Sequence, residues 1–487
     1  MRSILVFFTF IYISVAIAQQ ETMPNNKVQN YLNSIPNQPG VGQSPFTCYV
    51  IDLSNNKIIA KHQESMRIPA ASTMKLVTTA AALNILGANY TFKTQLAYSG
   101  SLDKATKTLN GDLYIIGGGD PTLGSRYYTE DGEESDFLMA WADSIKESGI
   151  LHINGRVVAD GSAYEYQGSP SGWVWGDMGN YYGAGPNGLT IYDNMLKLYF
   201  DTKAIGSDAK LTCTIPYLPN FYLGGSIQAA KSSRDNAYVF GAPYSLDWYI
   251  TGSIPYKRED FMVKAANPDP ELTFTHEFNQ ALQAQGITIK YFPETKRNLL
   301  KDSNYQMPAL KTIYTHESPS LLSIINLTNL YSVNLFAEHL LCEIAYKRKG
   351  IGSTHQGALI AKAYLSSKFD CSGLIMTDGS GLSRSNAMSA KFLVLLLKYM
   401  KGSNNYKNSL AVAGKKGTMR SIGRKTAASG RVIGKSGSMS KMKAYAGYVN
   451  STTGKKLAYA MVMNNYNTPT YKVKGYFEKL MVLMATY

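Results

Sequence analysis

Ser72-Thr73-Met74-Lys75 places a hydroxyl and an amine three residues apart at the head of an apolar run over residues 76–87. On a helix, positions three apart share a face, so the Lys75 amine falls beside the Ser72 hydroxyl. A serine hydroxyl is a weak nucleophile at neutral pH and needs a neighbouring base. An amine in an apolar, partly desolvated site next to other cations can lose its proton near neutrality and act as that base. The spacing alone is common: it recurs at Ser54/Lys57, Ser101/Lys104, Ser207/Lys210, Ser438/Lys441 and Ser440/Lys443, mostly in polar turns or strand-like segments. The copy at Ser72 is the one backed by a buried helix pattern, which makes Ser72 the candidate nucleophile.

Two further motifs carry chemistry. Lys435-Ser436-Gly437 is the single lysine-[serine or threonine]-glycine triplet, and it ends a strand-like run. A cation, a hydroxyl and a small residue there can bind a carboxylate along a strand edge, the glycine letting a ligand backbone come close. A phosphate loop is excluded, because Ser429 stands where its first glycine should be and no helix follows. Ser332-Val333-Asn334, between two helical patterns, offers a second hydroxyl to relay a proton and an amide to orient a lysine or a carbonyl. Read singly, Ser332 is better explained as a helix N-cap. The six histidines show no metal spacing and there is no G-x-S-x-G elbow, so a histidine triad has no support. Asp120, after three glycines, reads as a turn residue.

The elements that must position these residues are legible from periodicity. Residues 25–35 read as a short amphipathic helix, and 48–53 with 57–60 as a hairpin around Ser54-Asn55-Asn56. The Ser72 helix follows. Residues 91–304 change texture to short alternating strands with Gly, Asn, Asp and Pro turns. Helical patterns return at 320–330, 333–346 and 355–367. Three strands at 431–435, 443–449 and 457–464, joined by short turns, then precede a terminal helix at 473–484. Consecutive strands with short turns pair antiparallel.

Composition bounds the setting. A chain of 487 residues with 45% hydrophobic content supports packed cores in two or more domains. Met1-Arg2-Ser3, the apolar stretch 4–17 and the small-x-small Ala16-Ile17-Ala18 read as a signal peptide over 1–18, with no later stretch apolar enough to span a bilayer. An exported, periplasmic protein is expected. The net charge of +15 suits an anionic wall or membrane surface or an unspecialised basic surface, and its dispersion argues against nucleic acid. Cys48, Cys213, Cys342 and Cys371 form no C-x-x-C pair; buried thiols or one or two bridges are expected.

Taken in order, the three motifs are the set shared by penicillin-binding proteins and related β-lactamases. The chain resembles the D-alanyl-D-alanine carboxypeptidase/endopeptidase family of class C low-molecular-mass penicillin-binding proteins. The supporting segments are 69–80, Gly117-Gly118-Gly119-Asp120-Pro121-Thr122-Leu123, Asn334-Leu335-Phe336-Ala337-Glu338, Asp378-Gly379-Ser380-Gly381-Leu382-Ser383-Arg384, 434–438 and 446–449. The resemblance implies an α+β fold. A serine β-lactamase/transpeptidase-like domain, an antiparallel sheet flanked by helices at 19–94 and 305–487, would be split by a mainly β insertion at 95–304 forming one or two extra domains.

It also implies roles. Ser72 would be acylated by the penultimate D-alanine carbonyl of a peptidoglycan stem peptide, with Lys75 as base, Ser332 as proton shuttle and Asn334 as positioning amide. Lys435 would keep Lys75 neutral by repulsion and attract the terminal carboxylate, assisted by Ser436 and Gly437. The N–H groups of Ser72 and Ser438 would hold the oxyanion. Asp177, Arg384 and Tyr182 would form a pocket for the zwitterionic end of diaminopimelate. β-Lactams would acylate Ser72, and no cofactor or metal is implied. Val333 stands where aspartate is common in the family, and Ser436 where threonine is usual. A β-lactamase on the same fold and an inactive peptidoglycan-binding scaffold are the rival readings.

Overall fold

The computed structural model describes residues 26–487; the expected signal peptide at 1–18 lies outside the described residues. The expected α+β architecture is present. Its centre is a six-stranded antiparallel sheet in the order Ile58–His62, Phe46–Asp52, Lys456–Asn464, Met442–Asn450, Val432–Met439, Ala411–Val412. The strand Lys456–Asn464 is buried at every position after Lys456, as a central strand covered on both faces must be.

Alternation along that strand divides two cores. Tyr459, Met461 and Met463 pack with Leu32 of the helix Lys27–Ser34 and with Val473, Phe477 and Met481 of the helix Thr470–Ala485. Ala458, Ala460 and Val462 face Leu76, Val77 and Ala80 of the helix Lys75–Ile85 and Phe392 and Leu396 of the helix Ala390–Met400. The second face is small: alanines at 444, 446, 458 and 460 let the helices settle close to the strands. A third core gathers the helices Lys75–Ile85, Leu321–Tyr331, Asn334–Lys349 and Thr354–Ser366 around Ile324, Phe336, Leu340 and Ile344. Each such fully buried side chain contributes roughly 1.5–3 kcal/mol.

The outgoing strand Lys93–Tyr98 pairs antiparallel with the returning strand Lys311–Glu317, so the chain leaves and rejoins the helical layer at one place. These two lie in a five-stranded sheet with Leu113–Ile116, Val157–Asp160 and Glu294–Thr295. Its core includes two helices, Asp136–Glu147 and Pro270–Ala284, that the strand-like texture of 91–304 did not announce. Leu138, Trp141, Ala142 and Ile145 do repeat at helical spacing, but among polar turns on either side. A separate core holds Leu196, Leu198, Trp248, Ile250 and Val263 between small sheets.

All four cysteines are free thiols, three of them buried. Among the described residues no helix is long and apolar enough to cross a membrane, and no group of three His, Cys, Asp or Glu is placed to hold a metal ion.

Candidate active site

Ser72 lies in the single turn Ala71–Met74, a 3-10 turn that runs directly into the helix Lys75–Ile85. Ala71 enters that turn with φ of +46°, a conformation costly for a residue with a Cβ and held here by tight packing. The Lys75 Nζ donates to Ser72 Oγ at 3.1 Å, to Asn334 Oδ1 at 2.6 Å and to the Ser380 carbonyl at 2.7 Å. Opposite, Lys435 Nζ donates to Ser332 Oγ at 2.8 Å and to the Ser436 carbonyl at 3.0 Å. Both lysines are fully buried.

Ser332 does not cap the helix Asn334–Lys349. It terminates the preceding helix with φ of +66° and ψ of 38°, and this left-handed kink turns its hydroxyl to Lys435. The N-cap position belongs to Val333, which makes no side-chain cap bond and packs instead into the helical core. Gly437 lies against the chain's own backbone. A Cβ there would stand 2.6 Å from the Ala70 carbonyl oxygen, so the glycine admits the chain's own nucleophile turn.

A cavity of about 550 Å³ opens over these groups, lined by Ser72, Ser332, Asn334, Ser438, Asp177, Tyr182 and Arg384 among others. The buried Lys75, Lys435 and Gly437 and the half-buried Ser436 are not part of that lining. The Tyr182 hydroxyl donates to Asp177 Oδ1 at 3.2 Å, and the Tyr182 carbonyl accepts from Asn334 Nδ2 at 2.7 Å. One wall of the cleft, Val174, Gly176, Asp177, Tyr182 and Tyr238, therefore comes from a segment about a hundred residues or more from either lysine.

Burial holds the Lys75 ammonium down to about 7, against Asp378 and Glu338, whose charges favour protonation. Lys435 is pushed well below the ordinary lysine range, first by burial and then by repulsion from Lys75 and Lys443. Desolvation is thus the main reason Lys75 gives up its proton so readily, and the repulsion between the lysines falls on Lys435. Burial raises Asp177, while Tyr182 and Arg384 pull it back. A neutral amine against a serine hydroxyl, with a second buried lysine nearby, can deprotonate the hydroxyl for attack on an acyl carbon.

Residues 28–485 match the D-Ala-D-Ala carboxypeptidase 3 (S13) family. The chain belongs to that family. It is 27% identical over 481 residues to a D-alanyl-D-alanine carboxypeptidase of Actinomadura sp. (strain R39), covering 95% of this chain and 85% of the relative. It is 26% identical over 461 residues to the D-alanyl-D-alanine carboxypeptidase DacB of Haemophilus influenzae, covering 92% and 90%. The fold superposes on the crystal structure of penicillin binding protein 4 of Haemophilus influenzae with a TM-score of 0.80 at 22% identity, covering 95% of this chain and all of that one.

Within this S13 chain, sequence reasoning assigned no role to four residues that hold the site together. Ser380 supplies the carbonyl under Lys75. The buried Glu338 carboxylate accepts the N–H groups of Gly379 at 2.9 Å and Ser380 at 2.7 Å. Asp378 accepts from Gly381 N, Ser383 N, Asn386 Nδ2 and, at 2.8 Å, Trp173 Nε1. Burial and Asp378 push Glu338 up to about 8, opposed by its bonds to the loop. A signal existed for Glu338: it lies four residues after Asn334, hence on the same helix face.

Proposed function

We propose that this S13 protein is an exported serine D-Ala-D-Ala carboxypeptidase that also cuts D-alanyl-diaminopimelate cross-links through an acyl-enzyme. The observation that carries the reading is the 3.1 Å approach of Lys75 Nζ to Ser72 Oγ, with Lys435 held on Ser332 across the same cleft. Neutral Lys75 takes the Ser72 proton as Oγ attacks the penultimate D-alanine carbonyl. The Ser72 and Ser438 N–H groups receive the oxyanion, each such donor contributing roughly 3–4 kcal/mol. Ser332 gives its hydroxyl proton to the leaving amine and is reprotonated with the proton Lys75 took from Ser72; D-alanine or a cross-linked diaminopimelate departs, and water hydrolyses the ester, restoring the Ser72 hydroxyl. Asn334 holds Lys75 in line. Lys435 offers its N–H groups toward the substrate carboxylate, with Ser436 and Ser438 on the strand edge.

The segment 95–304 acts in this reading as an insertion that walls the cleft. Asp177, Tyr182 and Arg384 line one cavity with Ser72, which suits a diaminopimelate zwitterion: the guanidinium for its carboxylate and Asp177 for its ammonium. The export reading rests on the sequence of residues 1–18. β-Lactam acylation is supported by a relative, since penicillin binding protein 4 of Haemophilus influenzae has been crystallised with a β-lactam.

The rivals gain little. Asp177 is the one carboxylate among the described residues lining the cavity, while Glu338 lies buried beneath the loop under Lys75, so among the described residues no other lining carboxylate is placed for β-lactamase water activation. Val333 points into the helical core rather than the cleft, which removes the main motive for an inactive scaffold. A fluorescent penicillin tests the three together: slow-clearing label on the wild type and none on Ser72→Ala is expected. Rapid turnover would favour the β-lactamase, and no label the scaffold. With purified muropeptides, Arg384→Ala loses cross-link cutting and keeps D-alanine release; equal loss of both would remove the pocket assignment.

A further inference from the structure

Beside the cleft, the insertion carries a three-stranded sheet in the order Tyr222–Gly225, Asp247–Thr251, Tyr238–Phe240. One face buries Trp248, Ile250 and Val239 in a hydrophobic core, with the half-buried Leu223 packed against it. The register puts Tyr222, Tyr249, Tyr238 and Phe240 together on the other face, where a soluble sheet ordinarily turns charged or small polar groups to water. Tyr222 is 65% exposed, Tyr249 51% and Tyr238 52%. Phe240 packs against Trp175, itself 54% exposed, with ring centres 6.3 Å apart.

The rings lie down on the sheet instead of standing away from it. A Cβ at Gly224 would meet the Tyr222 ring at 3.3 Å, and one at Gly225 would meet the Tyr249 ring at 2.7 Å, so two glycines leave bare backbone on which two tyrosines recline. The track is continuous with the catalytic cleft: Tyr238, on the edge strand beside it, lines the same cavity as Ser72 and Arg384. Three strands give a platform about 10 Å across, enough for more than one sugar ring.

From this we infer that the sheet face is a binding platform for the glycan strand to which the stem peptide is attached. The inference rests on the peptidoglycan reading of the cleft and extends it from the peptide to its carrier. The chemistry selects a sugar chain over an apolar protein surface. Asp247 and the tyrosine hydroxyls sit amid the rings, exposed and in line with them. An apolar partner would have to desolvate those groups without return, whereas pyranose rings stack their C–H faces on the aromatics and bond the polar groups with their hydroxyls. A peptide entering the cleft past Tyr238 would then hang from a glycan lying along Tyr249 and Tyr222.

The test compares the full-length mature protein with the double variant Tyr222→Ala/Tyr249→Ala and the ring-preserving Tyr222→Phe/Tyr249→Phe. Binding is measured on glycan strands stripped of peptide by an amidase; activity is measured on a free pentapeptide ending in D-Ala-D-Ala and on whole sacculi. The alanine variant binds stripped glycan about tenfold more weakly, as two lost ring contacts predict, and loses a similar factor on sacculi while matching the wild type on free pentapeptide. The phenylalanine variant keeps most of the binding. Equal glycan binding by wild type and alanine variant would overturn the platform. So would a concentration-dependent dimer, seen by sedimentation and abolished in the alanine variant, since the face would then join two copies of this chain. A wild type that binds stripped glycan but releases no D-alanine from the pentapeptide would fail the peptidase reading and leave the platform standing.

Discussion

Acylation by a penicillin should follow the ionisation of Lys75. With its ammonium held down to about 7, the neutral base makes up about half of the protein at pH 7, about one tenth at pH 6 and about one hundredth at pH 5. An exposed lysine near 10.5 would be neutral in roughly one molecule in three thousand at pH 7, and the rate would keep climbing to pH 10. The second-order rate of labelling by a fluorescent penicillin, followed from pH 5 to 10, should therefore rise tenfold per pH unit and bend to a plateau near 7. The same burial leaves a mark on stability. Because the folded lysine releases its proton at about 7 and the unfolded one near 10.5, the unfolded chain binds more protons between those values, and stability rises with pH across that window. The gap is worth roughly 5 kcal/mol, a cost borne in full below pH 7 and relieved toward pH 10. Lys75→Met removes that cost but orphans the Asn334 and Ser380 oxygens at about 1–3 kcal/mol each. Urea melts should then show the variant close to the wild type at pH 6 and clearly less stable at pH 10. A labelling rate that climbs unbroken to pH 9, a plateau that begins below pH 5, or a Lys75→Met stability difference independent of pH would refute a desolvated lysine base.

Gly437→Ala drives a methyl into the Ala70 carbonyl; it should cost about 1–3 kcal/mol in urea melts and displace the Ser72 turn, slowing labelling more than it lowers stability. Trp173→Phe removes the indole donor from Asp378; a loss of about 1–3 kcal/mol is expected, with slower labelling because the 378–383 loop carries the Ser380 carbonyl under Lys75. Ser332→Ala leaves Lys435 without its hydroxyl partner; turnover of pentapeptide should fall roughly 100-fold or more while the melting curve moves little, and an unchanged turnover would remove Ser332 from the proton path.

Much of this protein can be read from local pattern. The 3.6-residue repeat of the helices, the alternation of the last three strands and the hairpin at residues 46–62 depend on neighbours in sequence, and each element forms within a few residues of its expected place. Ser72 and Lys75 are three apart, so helix geometry alone puts them in contact. The helices Asp136–Glu147 and Pro270–Ala284 escaped because their apolar spacing lies among turn residues, and helix Ala390–Met400 passed unremarked although its Phe392, Leu393, Leu396 and Leu397 face the core.

The rest belongs to the tertiary structure. No spacing announces that Ser380, 305 residues from Lys75, offers it a carbonyl, that Trp173 reaches Asp378, or that a left-handed Ser332 turns from capping a helix to meeting Lys435. Nor could the sequence say how completely Lys75 is buried or that burial outweighs the charges around it, since desolvation is set by what the whole fold packs around a group and not by its neighbours along the chain. Sequence chose the reacting groups and the elements that carry them; packing chose their partners, their charge and the wall against which a substrate would lie.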